Sequence, residues 1–406
     1  MSDTIRPKNA DELTDAVKWA VERGRYLRIH GGDSKAGFGH DVPQEAMPLD
    51  LSLLRGVIQY EPEELVLSAA PATPLKEIEA VLAQRNQMLA FEPPDLSALY
   101  GRDGATLGGI VACNLSGPRR LSAGALRDHL LGFQATSGRG ERFKSGGRVM
   151  KNVTGYDLSK LMAGSFGTLA VLDEITVKVL PAPEKTRTVL VYGLEEAQAV
   201  ALLCRAMGEP VDVSGAAHLP ASVAARSAVD RVGKAGAPVT ALRLEGPGPS
   251  VEARCRHLRD FVGQAAATEE LHSINSAALW RELRDVVLLA QPAERNIWRL
   301  SVAPSDAAAM VAAIRTARPL AEAYYDWSGG LVWLALPPNA GEGDAGQSLV
   351  RFAVGAHGHA TLMRAPAAMR AQVQVFQPLP PPLAALSLRV KDAFDPKNVL
   401  NPGRMG

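Results

Sequence analysis

The sequence predicts an α+β protein built from two domains and a C-terminal tail. Helix and strand patterns alternate near the N-terminus, a glycine-rich stretch follows at Gly101–Gly167, and strand–helix–strand units recur after Pro181-Ala-Pro183. We therefore predict a first domain at residues 1–183, a second domain at 184–382, and a C-terminal helix and tail at 383–406 that return to the first domain.

The first domain opens with a helix and a strand. Asn9 can cap a helix that stops at Gly24, and apolar residues recur between them at helical spacing. A strand at 26–30 follows and runs directly into Gly31-Gly32. The other elements predicted in this domain are a helix with Pro74 at its first position and strands at 56–60, 65–70 and 169–180.

The second domain has the pattern of a duplicated unit. Strand, helix, strand and helix are predicted at 188–192, 195–207, 239–244 and 250–262, and strand, helix and strand at 297–302, 306–316 and 331–336. A pair of ferredoxin-like βαββαβ halves fits this order. A last helix is predicted at 383–394, before a tail rich in turn residues.

Composition narrows the class of protein. The formal net charge is +1, which offers no electrostatic reason to bind nucleic acid or an anionic membrane. Cys113, Cys204 and Cys255 are too far apart for a disulfide framework, a zinc site or an iron–sulfur cluster, so any such cluster is expected on another chain.

The N-terminus lacks a signal-peptide pattern, and apolar runs fall far short of the roughly 20 residues that span a bilayer. We expect a cytoplasmic protein.

Three glycine-rich segments carry the functional prediction. Arg28–Ser34 is a strand that ends in a glycine turn, where backbone N–H groups can approach a diphosphate, although this segment taken alone is better explained as a plain turn. Asp103–Arg120 combines glycine pairs, hydroxyls and an asparagine with two arginines, and Lys151–Leu169 is the third segment. The sequence contains neither a G-x-G-x-x-G that opens a helix after a strand nor a P-loop, so the Rossmann and P-loop interpretations lose their support.

These segments closely resemble the FAD-binding domain of the para-cresol methylhydroxylase and vanillyl-alcohol oxidase family. The similar stretches are Thr106–Gly109, Asn114–Arg120, Asn152–Leu169 and the tail Phe394–Arg404. Within the family, the Ser-Gly-Pro-Arg-Arg and Lys-Asn-Val-Thr-Gly-Tyr-Asp motifs look most like those of FAD-binding subunits of bacterial glycolate oxidases. The resemblance implies a PCMH-type FAD-binding domain of two subdomains, followed by an α+β cap.

The resemblance also implies which residues contact FAD. It places the diphosphate at His30, Gly31, Gly32, Asp33 and Ser34, the flavin and its ribityl chain at Thr106, Gly108, Gly109, Asn114, Ser116 and Gly117, and the adenine at Gly164, Gly167, Thr168, Leu169 and Ile175. Members with a covalent flavin often carry a histidine just after the glycine pair. Because Asp33 stands there in this chain, we expect non-covalent FAD.

The catalytic residues remain open. The related catalytic subunits and D-lactate dehydrogenases carry a paired-histidine metal motif and a Gly-Asp-Gly-Asn sequence, and both are missing here. The candidates are Arg119 and Arg120 beside the flavin, His357 and His359 on one face of a strand, and Arg299 and Arg364 as a carboxylate clamp. For each, a purely structural role is the alternative.

Three functions remain open on the sequence. The first is an FAD-binding subunit of a glycolate oxidase complex, beside a sister FAD-containing catalytic subunit that oxidises a small 2-hydroxy acid and an iron–sulfur subunit that accepts the electrons. In that case any membrane association would run through the partners. The second is a self-sufficient FAD-dependent hydroxy-acid or alcohol dehydrogenase or oxidase. The third is a non-catalytic subunit that FAD merely stabilises.

Overall fold

A computed structural model of the chain describes residues 4–147, 155–263, 266–338 and 343–406. The start of the third glycine-rich segment, Lys151–Thr154, lies outside these residues.

The N-terminal part contains short helices and two main sheets. Its helices are α1 (Ala10–Arg23), α2 (Leu75–Ala83), α3 (Ser97–Tyr100), α4 (Leu107–Cys113), α5 (Arg120–Ala123), α6 (Leu126–His129) and α7 (Leu158–Met162). Its strands are β1 (Leu27–His30), β2 (Met47–Asp50), β3 (Val57–Glu61), β4 (Val66–Ala69), β5 (Gln87–Met88), β6 (Leu130–Ser137), β7 (Arg142–Gly146), β8 (Ala170–Lys178) and β9 (Leu180–Pro181). Strands β1 and β2 pair in parallel, and an antiparallel sheet has the order β3-β4-β8-β6-β7.

Helix α1 confirms the predicted capping. The Asn9 side chain accepts a hydrogen bond from the Glu12 N–H, and Gly24 ends the helix in the left-handed conformation at φ 59°. Pro74 differs from the prediction, because it caps α2 instead of being its first helical residue. A β-bridge to Thr106 holds Pro74 in an extended conformation.

The stretch from 101 to 167 has more regular structure than its weak periodicity indicated. It contains α4 and the long strand β6, which lies between β7 and β8. Most β6 side chains are buried on both faces, so the strand lacks the alternation of polar and apolar residues by which a half-buried strand is recognised.

The C-terminal part, called the cap here, is built on one antiparallel sheet. Its strands are β10 (Lys185–Tyr192), β11 (Val213–Leu219), β12 (Val239–Gly246), β13 (Thr268–His272), β14 (Asn296–Ser301), β15 (Glu322–Asp326), β16 (Leu331–Leu336) and β17 (His359–Arg364). The helices from here to the C-terminus are α8 (Glu196–Ala206), α9 (Ala221–Ala224), α10 (Asp230–Gly233), α11 (Gly248–Val262), α12 (Ser273–Arg284), α13 (Val287–Ala290), α14 (Pro304–Ala317), α15 (Gln347–Val354), α16 (Ala367–Arg370) and α17 (Pro381–Phe394).

The order of the cap strands confirms the predicted duplication. The sheet runs β13-β10-β12-β11-β15-β16-β14-β17, so each half places its strands in the ferredoxin-like order with its second strand at the centre of the whole sheet. The pair His218–Tyr325 joins the two halves. Helices α8 and α11 follow the first and third strands of one half, and α14 and α15 do so in the other.

The tail lies against the N-terminal part. Phe394 packs in the same apolar cluster as Phe133, at the end of the predicted last helix. The Asn401 side chain donates to the Phe166 carbonyl and accepts from the Ile29 N–H, at 2.8 Å in both cases. In the described residues, no helix is long and apolar enough to cross a membrane.

Candidate functional site

A cavity of about 420 Å³ lies between the turn after β1, helix α4 and the tail. The predicted cofactor residues that line it are His30, Gly31, Gly32, Asp33, Ser34, Thr106, Gly108, Gly109 and Gly167. The fold thus brings the first two glycine-rich segments and the end of the third together in the lining of this cavity.

The turn after β1 presents a row of free backbone donors. Along the consecutive residues Gly31 to Lys35, no backbone N–H has a hydrogen-bond acceptor in the described chain. Asp33 adopts the left-handed conformation with φ 53° inside this run. Successive N–H groups in such a turn form a concave anion site, so the turn fits a diphosphate.

Gly32 is required by a close backbone approach. A Cβ atom at this position would lie 1.8 Å from the carbonyl oxygen of Gly104, which belongs to the second glycine-rich segment. The two segments therefore pack backbone against backbone.

The side chain of Asp33 is used in ion pairs. Its carboxylate lies 3.4 Å from Arg28 Nη1 and 3.3 Å from Arg102 Nη1. Asp33, which follows the glycine pair, thus connects the glycine turn to the segment before Gly104.

Sequence reasoning missed several polar residues of the cavity, among them Lys35, Asn401 and Arg404. The Arg404 guanidinium donates to the carbonyl oxygens of Lys35 at 3.1 Å and Ala36 at 3.0 Å. These two hydrogen bonds connect the tail to the end of the glycine turn. The family-like tail motif was the available signal, but it did not indicate which of its residues reach the cavity.

The remaining predicted cofactor residues do not line this cavity. They are Asn114, Ser116, Gly117, Gly164, Thr168, Leu169 and Ile175. The Ser116 hydroxyl accepts from the Leu126 N–H at 2.8 Å, and the Gly117 carbonyl accepts from the Trp327 indole at 3.1 Å. Leu169 and Ile175 are buried in apolar clusters. Contact of this set with the cofactor stays a prediction.

Two of the candidate catalytic arginines are occupied by contacts within the protein. Arg119 donates to both oxygens of Glu245, at 2.9 and 2.8 Å. Arg364 donates to backbone carbonyls at Leu99, Ala290, Pro292 and Arg295. Both side chains therefore join the cap to the N-terminal part or organise a loop.

The other candidates have different surroundings. His357 and His359 are exposed, and β17 begins only at His359. Arg120 and Arg299 both stack on the Trp327 ring, with Cζ atoms 4.4 and 5.0 Å from its centre, and the side chains of these arginines have no hydrogen-bond acceptor in the described part of the chain. Burial and the neighbouring Arg120 lower the pKa of Arg299 to about 10.

Asp326 adjoins this stack. It is 2% exposed, and its Oδ1 accepts from the Trp327 N–H at 2.7 Å. Burial, together with the nearby Glu92 carboxylate, raises its pKa to about 7. A carboxyl group with a near-neutral pKa therefore interacts electrostatically with a guanidinium that forms no ion pair within 4 Å among the described residues, on the cap and near the second glycine-rich segment.

Comparison with known proteins agrees with this site. Residues 3–146 match the family model for the FAD binding domain. The chain is 35% identical to the glycolate oxidase subunit GlcE of Escherichia coli strain K12 over 393 residues, which cover 97% of this chain and 96% of that one. The chain belongs to the PCMH-type FAD-binding oxidoreductases. FAD is its cofactor, and the free amides of the glycine turn fit the diphosphate of that group.

Other relatives of this FAD-linked oxidoreductase match a smaller part. The glycolate oxidase subunit GlcD of Bacillus subtilis is 28% identical over 186 residues, 46% of this chain and 38% of that one. The D-lactate dehydrogenase of Archaeoglobus fulgidus is 28% identical over 177 residues, 44% of this chain and 38% of that one.

Solved structures share the fold of the whole chain. A p-cresol methylhydroxylase with bound substrate matches with a TM-score of 0.73 and 16% identity, over 99% of this chain and 88% of that one. A 4-ethylphenol oxidase from Gulosibacter chungangensis matches with a TM-score of 0.70 and 15% identity, with the same coverage. This confirms the predicted α+β architecture.

Proposed function

We propose that this chain is the FAD-binding subunit of a glycolate oxidase complex, which oxidises glycolate and related 2-hydroxy acids to 2-oxo acids. The observation that carries the proposal is the full-length similarity to a glycolate oxidase subunit, together with a cavity whose glycine turn presents free amides. Bound FAD would supply two-electron acceptance from the substrate. The amides of Gly31–Lys35 would hold its diphosphate.

The chain is proposed to work in the cytoplasm with a sister FAD-containing catalytic subunit and an iron–sulfur subunit. Two observations support a division of labour. The described residues contain no group of three or more histidine, cysteine, aspartate or glutamate side chains that could hold a metal ion. Arg119 and Arg364, two candidate substrate-binding residues, are already engaged within the protein.

The attachment of FAD is proposed to be non-covalent. Asp33 follows the glycine pair, and its ion pairs with Arg28 and Arg102 keep its carboxylate in the turn. Among the described residues that line the cavity, His30 and Cys113 are the candidates for a covalent linkage.

A second candidate function is supported by Asp326. Oxidation of a hydroxy acid needs a base for the hydroxyl proton and a cation for the carboxylate. A carboxyl group with a pKa near 7 beside Arg299 would provide both within this chain, which would then turn over 2-hydroxy acids unaided.

The two functions are separated by comparing the purified chain with the complex co-expressed from neighbouring genes. We expect glycolate to bleach the absorption band of oxidised flavin in the complex but not in the isolated chain. Bleaching of the isolated chain that Asp326→Asn abolishes would establish the second function. A complex whose activity survives loss of FAD from this chain would contradict both and leave only a stabilising role for FAD.

A further inference from the structure

Lys35 is a buried cation inside the FAD cavity. It follows Ser34 at the end of the glycine turn, and only 8% of its surface is exposed. Its Nζ donates to the Ser34 hydroxyl at 3.1 Å, and a Cβ atom at Gly109 would lie 3.7 Å from it. The ammonium group therefore lies between the glycine turn and the first turn of α4.

In the described part of the chain, no carboxylate forms an ion pair with this ammonium. Within the described residues, no acidic oxygen lies within 4 Å of Lys35 Nζ. The two acidic residues that line the cavity are engaged elsewhere, Asp33 with two arginines and Asp41 with Arg370 at 3.0 Å.

Of the remaining neighbours, Asp95 acts electrostatically on Lys35, but in the described chain it forms no ion pair with the ammonium within 4 Å. Burial raises the pKa of the nearby Cys113 thiol, which is therefore neutral at physiological pH. Arg404 brings a second cation to the same wall of the cavity. Burial also lowers the pKa of Lys35, as expected for an ammonium group removed from water, and the more distant Asp95 offsets this only in part.

Other polar groups converge on the same spot. The Thr106 hydroxyl would lie 3.5 Å from a Cβ at Gly31 and 3.2 Å from one at Gly109, so it faces both segments. The Ser34 hydroxyl and the free amides of the glycine turn complete the lining. Such a set of N–H, O–H and ammonium donors is suited to phosphate oxygens.

We propose that Lys35 is the charge partner of the FAD diphosphate, and that its unpaired burial makes the chain depend on that anion for stability. This inference rests on the proposed function only in taking FAD as the ligand. A lysine placed there for the fold alone would have a protein counter-ion. Lys35 instead has a hydroxyl and an open cavity.

The proposal predicts opposite effects on the FAD-free and FAD-bound chain. Replacing Lys35 with methionine removes a buried charge that costs free energy when no anion is bound, so the FAD-free variant should melt at or above the wild-type temperature. With saturating FAD the order should reverse, because the variant gains less from binding.

The test titrates the FAD-free full chain with FAD and with riboflavin, which has no phosphate, and follows flavin fluorescence. We expect Lys35→Met to weaken FAD binding about tenfold or more, since a charged hydrogen bond contributes about 1.5–3 kcal/mol. Riboflavin binding should change less than about twofold on the same reasoning. Lys35→Arg should restore most of the FAD affinity, and the exposed Lys76→Met is the matched control.

Several results would overturn the inference. One is an FAD affinity of Lys35→Met equal to that of the wild type. Another is an equal loss of affinity for FAD and for riboflavin, because the ammonium would then contact the ring system and not the diphosphate. A lower melting temperature of the FAD-free variant would show a role in the fold itself. If the binding results are as expected but the complex does not oxidise glycolate, only the proposed function fails.

Discussion

Arg243 of the cap donates two hydrogen bonds to Glu92 of the N-terminal part, with Nη1–Oε1 at 2.7 Å and Nη2–Oε2 at 3.0 Å. Arg243 is only 2% exposed, and Arg119 and Glu245 complete a buried network of alternating charge. Burial alone would raise the pKa of Glu245, but Arg243 and Arg119 outweigh it and lower the pKa to about 2. The network joins the cap to the second glycine-rich segment, in which Arg119 lies.

Glu92→Gln should destabilise the chain by about 3–5 kcal/mol, because it removes the carboxylate that pairs with both Arg243 and Arg119 and leaves these two buried cations with Glu245 alone in the network. Urea unfolding of the two proteins measures the difference. Glu77→Gln is the control, since its pair with Arg55 is solvent-exposed and should contribute about 0–1 kcal/mol. If the free energy of unfolding falls by the same amount in both variants, the buried network does not stabilise the contact between the cap and the N-terminal part.

Asp326 should make stability fall as the pH rises. Its folded-state pKa is raised from 3.8 to about 7, so its contribution is fully present below pH 4 and is lost as the pH rises to 7. The shift corresponds to about 4 kcal/mol at most. Asp326→Asn keeps an acceptor for the Trp327 N–H, so it should match the wild type at pH 4 and exceed it at pH 8 in chemical unfolding.

The exposed Asp392→Asn serves as the control for this pH dependence. Parallel stability curves for the wild type and Asp326→Asn between pH 4 and pH 8 would show that Asp326 ionises normally. The second candidate function would then lose its base.

Gly32→Ala should abolish most FAD binding. The added methyl group would overlap the Gly104 carbonyl, so the glycine turn must move away from the second segment and its amides lose their common direction. We expect a loss of at least about tenfold in FAD affinity, as for the removal of one charged hydrogen bond. Gly147→Ala meets no atom within 4 Å and should bind FAD normally.

FAD should leave the protein on denaturation. Acid precipitation should release all flavin into the supernatant, and a denaturing gel should show no fluorescence at the position of the chain. A fluorescent band would contradict the assignment based on Asp33. Loss of that band in His30→Ala or Cys113→Ala would then identify the linking residue.

Features set by neighbouring residues were predictable from the sequence. The capping of α1 by Asn9 and Gly24 depends on hydrogen bonds within a few residues, and the duplicated cap follows from apolar periodicity within each element. The glycine turn at Gly31-Gly32 was predicted for the same reason, since consecutive glycines permit a close backbone approach wherever they stand.

The charges of the site were decided only by the tertiary structure. Lys35 becomes a buried cation with no ion pair among the described residues because α4, the glycine turn and the tail residue Arg404 enclose it, although Arg404 is hundreds of residues away in the sequence. Asp326 acquires its raised pKa through burial in the folded cap. The sequence by itself determined the cofactor and the family, through local glycine motifs. Desolvation and charge pairing depend on which distant segments come into contact in the folded chain. The local sequence pattern does not indicate these contacts.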